Sequence, residues 1–284
     1  MKYQAPPPDR FEVNISDING NKTLLSAIGA VVIFIFFILL FIKSIGYLTT
    51  VFVSRESERA LVEKYKLDAL FQGQNSKELS NFVKRITMID YPFDVKITDI
   101  KNEMNAYCFF GDKLMVTQKL LQSAESENEL AFVLAHEVGH SYYRHNTRGL
   151  AYRLLLNITF NFLGLSSSTS NLSSLTYSRD LENQADDFAI KALKNHYGHT
   201  LGAADFFKRV RSEQPTSMKW FNWLERIYST HPMIDQRIER IVKSNEDNSE
   251  PNTVISDAVD KNQSVIPKSE SSLFKAILPS VKAI

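Results

Sequence analysis

The residues best suited to chemistry are His136, Glu137 and His140 in the run His136-Glu137-Val138-Gly139-His140. On a helix, side chains four positions apart stand one above the other on one face. Two imidazoles so placed can bind one Zn2+ ion per chain, each at about 2.0–2.1 Å. Glu137 adjoins the first histidine and can reach a water on the metal from the side. Zinc brings that water's pKa towards about 7, so the carboxylate can take its proton and pass it to a leaving amine. That is the chemistry of metal-assisted peptide hydrolysis.

A catalytic zinc takes three protein ligands and keeps one position open. The extended three-histidine pattern needs Gly at 143 and His at 146, but these are Tyr143 and Asn146. His145 stands nine positions after His136, half a turn away on a continuing helix, and reads as structural or solvent-exposed. A second candidate region is Ser178-Arg179-Asp180-Leu181-Glu182-Asn183-Gln184-Ala185-Asp186-Asp187. Glu182 and Asp186 are four apart and share a helical face. Glu182 can bind the metal while Asp186 accepts a hydrogen bond from a ligating histidine. Acidic pairs on helices are usually solvated, so spacing alone leaves this open. Asp187 reads as solvated, and Ala185 is small enough to let two helices approach.

These residues need elements to hold them. Ser126-Glu127-Asn128-Glu129 has the form of a capping box and should open a helix through the histidine pair. Leu130, Val133 and Leu134 give it a buried side. Upstream, residues 55–90 read as two amphipathic helices broken near Gly73. Val95 to Ile100 alternates like a half-buried strand. Ala106–Phe110 and Leu114–Thr117 read as a hairpin turning at Gly111-Asp112. Another helix should begin near Ser178. Leu154 to Leu165 is strongly apolar but too short to span a bilayer, so it reads as a core helix or a partial membrane contact.

The uncharged run from Thr23 to Ile42 is bracketed by Lys22 and Lys43. Twenty residues at a 1.5 Å rise cover about 30 Å, the thickness of a bilayer's hydrocarbon core. A cleaved signal peptide fits less well, because the preceding tail is long and not cationic. Basic residues balance on the two sides of the span, so they do not orient it.

The chain has 33 basic and 32 acidic side chains, a formal net charge of +1, and 44% apolar residues. That composition suits a folded domain and offers no basic stripe for nucleic acid. Neither a nucleic acid nor a nucleotide is expected as a partner. The cluster Lys208, Arg209 and Arg211 reads as a solvated helix face. The single cysteine, Cys108, excludes a disulfide framework and a cysteine-based zinc cluster.

The run from His136 to His140, the run from Ser178 to Asp186, and Ser229-Thr230-His231-Pro232 with Arg237 together resemble the zinc metallopeptidase family of the CAAX prenyl proteases. HtpX, the mitochondrial protease Oma and bacterial outer-membrane-assembly proteases belong to it. Asn105-Ala106-Tyr107 resembles the family's Asn-Ala-aromatic strand, and the match runs from about Leu61 to Ile241. The resemblance implies His136, His140 and Glu182 as zinc ligands and Glu137 as catalytic base. It implies that Asn105, Ala106 and Tyr107 border the cleft, where an extended polypeptide can add to a sheet edge through backbone hydrogen bonds. His231 could stabilise an oxyanion or block the metal in a resting state. Arg237 could pair with a carboxylate of the site, with no partner named by the sequence. His196 and His199 read as surface residues.

The expected fold is α+β and mainly helical: a zincin-type metallopeptidase domain with a small β-sheet, preceded by one transmembrane helix. Its expected parts are a disordered tail over 1–22, the span over 23–43, the catalytic domain over 55–243 and a disordered tail over 244–284. The apolar patch Leu273–Leu278 in that last tail could dock on a partner, occupy the enzyme's own groove, or do nothing. The expectation is a single-pass protein of a bacterial inner membrane, in contact with the lipid bilayer, with its domain outside the cytoplasm. Polypeptide substrates would be misfolded or misassembled envelope proteins. The alternative is a metal-binding assembly factor that holds substrates with little cleavage.

Overall fold

A computed structural model of the chain describes residues 20–67, 72–100, 103–162, 177–212, 234–246 and 264–281. The chain divides into two units, residues 1–44 and 45–284.

The described residues of the first unit belong to helix α1, Gly20–Phe52, whose last turns are part of the second unit. Its apolar side chains, Phe34 and Phe37 among them, are exposed rather than packed. Among the described residues it is the one helix long and apolar enough to cross a membrane. At 1.5 Å per residue it is about 50 Å long. The helix therefore continues beyond the expected end of the span at residue 43. The first 19 residues of the expected tail lie outside the described residues.

In the second unit, helix α2 spans Arg55–Lys64, and Ser54 caps it by accepting from the Ser57 N–H. Helix α3, Lys77–Thr87, is capped in the same way by Ser76. It buries Leu79, Phe82, Val83 and Ile86, the i, i+3, i+4, i+7 pattern of a helix lying on a core. Four strands form the sheet, β1 Gln74–Asn75 just before α3 and β2 Asp94–Thr98, β3 Ala106–Phe109 and β4 Lys113–Thr117 after it. They lie in the order β1-β2-β4-β3, and β2 with β4 is the parallel pair. The β3–β4 hairpin turns where expected, with Gly111 at φ 71° and Asp112 at φ 59°. Positive φ at both positions matches the twist of the flanking strands. This topology leaves β3 at an edge of the sheet.

After helix α4, Gln118–Ser123, comes the central helix α5, Glu127–Tyr142. Ser126 caps it by accepting from the Glu129 N–H at 3.2 Å. Glu129 does not complete the reciprocal half of the box; it accepts from the Glu125 N–H at 3.0 Å and from Arg209. Residues Leu130 to Val138 are all buried. The remaining helices among the described residues are α6 His145–Phe162, α7 Tyr177–Tyr197, α8 Asp205–Ser212, α9 Ile234–Glu246 and α10 Ser272–Val281. Helix α5 packs most extensively on α7, with α3 and β3 also against it. A Cβ on Gly139 would come 3.0 Å from Ala185 Cα and 3.1 Å from its carbonyl oxygen. Gly139 and Ala185 are thus the point where α5 and α7 approach each other.

The C-terminal tail differs from expectation. Helix α9 runs to Glu246, and the described residues resume at 264. Helix α10 buries Leu273, Phe274, Ile277 and Val281 against the core and packs on α3 and α4. The segment before it pairs with the start of α5: the Glu127 N–H donates to the Ile266 carbonyl and the Lys268 N–H to the Glu125 carbonyl, both at 2.9 Å. Buried Glu127 accepts from the Ser271 hydroxyl and, at 3.1 Å, from the Tyr197 hydroxyl. The apolar patch is therefore part of the core. A polar composition between residues 247 and 263 concealed a returning amphipathic helix.

Arg209 is also not on a solvated face. It pairs with buried Glu129, while Lys208 and Arg211 pair with Asp205 and Asp235. His199 is buried, and its Nδ1 accepts from the Leu201 N–H at 3.2 Å, which makes it a turn-forming residue.

Candidate metal centre

Helix α5 supplies His136 and His140 on one face, and α7 brings Glu182 to meet them. His136 Nε2 lies 3.1 Å from His140 Nε2. Each Nε2 lies 3.3 Å from a different oxygen of Glu182. Zinc with bonds of about 2.0–2.1 Å in a tetrahedron would separate its ligand atoms by about 3.3–3.4 Å. Two imidazoles and one carboxylate, with donor atoms converging at that spacing, fit a divalent cation of zinc's size. His136 and Glu182 are buried, and His140 is nearly so.

The rings are held from behind. Asp186 Oδ1 lies 2.9 Å from His136 Nδ1. One turn of α7 separates Glu182 from Asp186, so both carboxylates face α5. Arg237 on α9 supplies the charge that permits this. It is 2% exposed, and it donates from Nε to Asp186 Oδ2 at 2.9 Å and from Nη2 to Oδ1 at 2.7 Å. Its Nη1 lies 3.2 Å from Glu182 Oε2, an ion-pair distance without directed hydrogen-bond geometry. Its guanidinium rests 4.2 Å from the Phe207 ring centroid. The sequence named no partner for Arg237; the structure gives it both carboxylates.

Electrostatics follow from these contacts. Burial drives the Asp186 carboxyl up, but Arg237 and His136 outweigh it and hold it well below the usual carboxylate range. Burial and Arg237 push His136 down, yet the hydrogen bonds to Asp186 and Glu182 prevail and hold it up to about 9 in the metal-free protein. Burial pushes His140 down and takes His145 down to about 3.

Glu137 is buried and lies against the edge strand. Its Oε2 accepts from the Cys108 N–H at 3.0 Å. The Cys108 carbonyl accepts from Asn146 Nδ2 at 2.8 Å. The Ala106 N–H donates to the Asn105 side-chain oxygen at 2.9 Å. Polar side chains thus already occupy hydrogen-bonding groups on the outer side of β3. Asn105, Ala106 and Tyr107 lie on the strand that passes Glu137. His231 lies outside the described residues. Cys108 Sγ is raised well above the usual thiol range by burial and by the nearby Glu137 carboxylate, so the thiol stays protonated.

The C-terminal end of α5 and the turn after it are tied to the last turn of α1 and the segment that follows it. Asp112, in the β3–β4 turn, accepts from Arg55 Nη1 at 2.9 Å, from Arg59 and from the Ser141 hydroxyl. Arg55 also caps α5, donating to the Tyr142 carbonyl at 2.7 Å. Arg144 donates to the Thr50 carbonyl at 2.6 Å, to the Val53 carbonyl and to Glu58.

The chain matches the model of peptidase family M48 over residues 72–245. The chain belongs to peptidase family M48. The match takes in β1 to β4, the histidine pair on α5, Glu182 and Asp186 on α7, and Arg237 on α9. Similar proteins include a putative beta-barrel assembly-enhancing protease of Vibrio cholerae. It is 29% identical over 154 residues, which cover 48% of this chain and 31% of that protein. The beta-barrel assembly-enhancing protease of Yersinia pestis is 21% identical over 178 residues, 56% of this chain and 36% of that protein. Its Escherichia coli counterpart is 23% identical over 156 residues, 48% and 31%. The chain spans about a third of the length of these curated relatives. Metallopeptidase family membership and a three-residue cluster that could hold a metal ion therefore fall in the same part of the chain.

Proposed function

We propose that this chain is a zinc endopeptidase of the zincin type, anchored to a membrane by α1. The observation that carries the reading is the convergence of His136 Nε2 and His140 Nε2, 3.1 Å apart, on the Glu182 carboxylate, a different oxygen of which lies 3.3 Å from each, beside Glu137.

His136, His140 and Glu182 hold the ion. When bound, zinc supplies Lewis acidity, which polarises a scissile carbonyl and acidifies water. Glu137 takes the proton of the attacking water and delivers it to the leaving amine. Asp186 fixes the His136 ring with its Nδ1 proton inward, leaving Nε2 for the ion, and Arg237 keeps Asp186 ionised. A substrate strand would add along β3 beside Asn105, Ala106 and Tyr107, displacing Asn146 from the Cys108 carbonyl. Backbone pairing of this kind asks little of substrate sequence, which suits removal of misfolded or misassembled envelope proteins. The similar proteases are named for beta-barrel assembly, which supports an envelope role, and the long exposed apolar helix supports a bilayer anchor; we place the domain outside the cytoplasm.

The test is a purified full-length protein in detergent, assayed on unfolded casein after chelation and after adding back one equivalent of zinc. Activity that disappears with chelation and returns with zinc supports the reading. Undiminished cleavage after complete metal removal, or no cleavage at any metal loading, would reject it.

A further inference from the structure

His136 has Asp186 behind it, and the question is what stands behind His140. His145 was expected half a turn away from the metal face, on the assumption that one helix continues through it. It does not continue. Helix α5 ends at Tyr142, and Arg144 takes a left-handed φ of 57°. That reversal folds the first residue of α6 back onto the last turn of α5. His145 becomes 3% exposed, with its Nδ1 2.9 Å from His140 Nδ1 and its Nε2 3.3 Å from Gln184 Oε1. Gln184 sits on α7 between Glu182 and Asp186. Tyr143 stacks on the His145 ring at 5.7 Å between centroids, which limits its rotation.

Resting on the metal-site reading above, we infer that His145 is the positioning residue for His140, and that His140, His145 and Gln184 form a hydrogen-bond chain of fixed direction. The direction follows from the donor inventory. A neutral imidazole has one N–H donor and one bare acceptor nitrogen. His140 offers Nε2 towards Glu182 and His136, so its proton sits on Nδ1 and is donated to His145 Nδ1. His145 Nδ1 is then bare, so its own proton sits on Nε2 and is donated to the Gln184 amide oxygen. The opposite chain, with Gln184 donating through its amide nitrogen, would put the proton of His140 on Nε2 and abolish its use as a ligand. The two ligating histidines are thus held by different chemistry, His136 by a carboxylate and His140 by a neutral ring. A neutral acceptor holds the ring without adding negative charge to a site that already contains Glu137, Glu182 and Asp186.

The experiment compares zinc affinity, by competition with a chromophoric chelator, for wild type, His145→Leu and His145→Gln. Leucine keeps bulk and burial and removes the acceptor; glutamine restores an acceptor oxygen. Loss of an outer hydrogen bond to a metal ligand costs about 10–100-fold in affinity. The expected result is that loss for His145→Leu, substantial recovery for His145→Gln, and an altered visible spectrum of the Co2+-substituted Leu variant. Wild type labelled with 15N-histidine gives a readout that needs no variant: zinc-loaded protein should show His140 protonated at Nδ1 and His145 at Nε2. His145 protonated at Nδ1, or a His145→Leu protein with wild-type zinc affinity, would overturn the assignment while leaving the metal site intact. Equal losses in the Leu and Gln variants would also overturn it, because bulk rather than hydrogen bonding would then matter. A wild type that takes up no zinc would instead sink the metal-site reading beneath it.

Discussion

Asp186→Ala should damage stability and metal binding together, through two partners. Asp186 is fully buried and receives hydrogen bonds from both Nε and Nη2 of Arg237, itself 2% exposed. Removing one partner of a buried ion pair leaves the other charge uncompensated and costs about 3–5 kcal/mol. Arg237 keeps Glu182 at an ion-pair distance of 3.2 Å, which places the expected loss at the lower end, about 3 kcal/mol. The same change frees the His136 ring, for a further loss of about 10–100-fold in zinc affinity. Urea denaturation of the metal-free protein measures the first effect, and chelator competition the second. A double replacement, Asp186→Leu with Arg237→Met, separates them. Removing both charges for apolar bulk should recover most of the stability, but not the metal affinity, because His136 still lacks its acceptor. An Asp186→Ala protein within about 0.5 kcal/mol of wild type in urea would refute the burial argument, since surface-like substitutions fall in that range.

Gly139→Val should lower stability by about 1–3 kcal/mol or more and weaken metal uptake, because its Cβ meets the backbone of Ala185 at 3.0 Å and drives α5 from α7; thermal melting with metal titration checks both. Phe274→Ala should cost about 3–5 kcal/mol, as expected for a fully buried ring, and would be silent in a urea curve if the C-terminal helix were an inert tail. In the metal-free protein, His145, held down to about 3 when folded, makes stability fall as pH drops below about 6.5, approaching about 1.4 kcal/mol per pH unit. His136, held up to about 9 when folded, contributes stability below about 6.5 that is lost as pH rises through 9. These two groups together place a stability maximum near pH 6.5 in denaturant titrations, and bound zinc should remove the His136 arm by occupying its Nε2.

Each half of the candidate metal cluster was legible because its spacing is local, but spacing left the role of Glu182 open and only the family resemblance joined it to the histidines. His136 and His140 share a helix, as do Glu182 and Asp186, and helical spacing fixes which face each presents. The hairpin at Gly111-Asp112 and the cap at Ser126 were legible for the same reason. What failed depended on chain reversal or on tertiary partners. His145 was misplaced because periodicity assumes a continuing helix, whereas a left-handed residue at Arg144 resets the phase. Arg237 had no visible partner because its carboxylates lie some fifty residues away in sequence, on another helix. Helix α10 follows a polar stretch, and only its docking on α3 and α4 reveals it as core. Asn146 carries no spacing signal at all, since its role comes from facing the open edge of β3.

The most direct test of the central claim is Glu137→Gln, which keeps the size and the hydrogen-bonding reach of the side chain and removes its capacity to accept a proton. The Glu137→Gln protein should bind one zinc with wild-type affinity, melt like wild type and cleave unfolded casein at least about 100-fold more slowly, the scale of a lost general base. Cleavage by Glu137→Gln at the wild-type rate, with zinc bound, would contradict that claim.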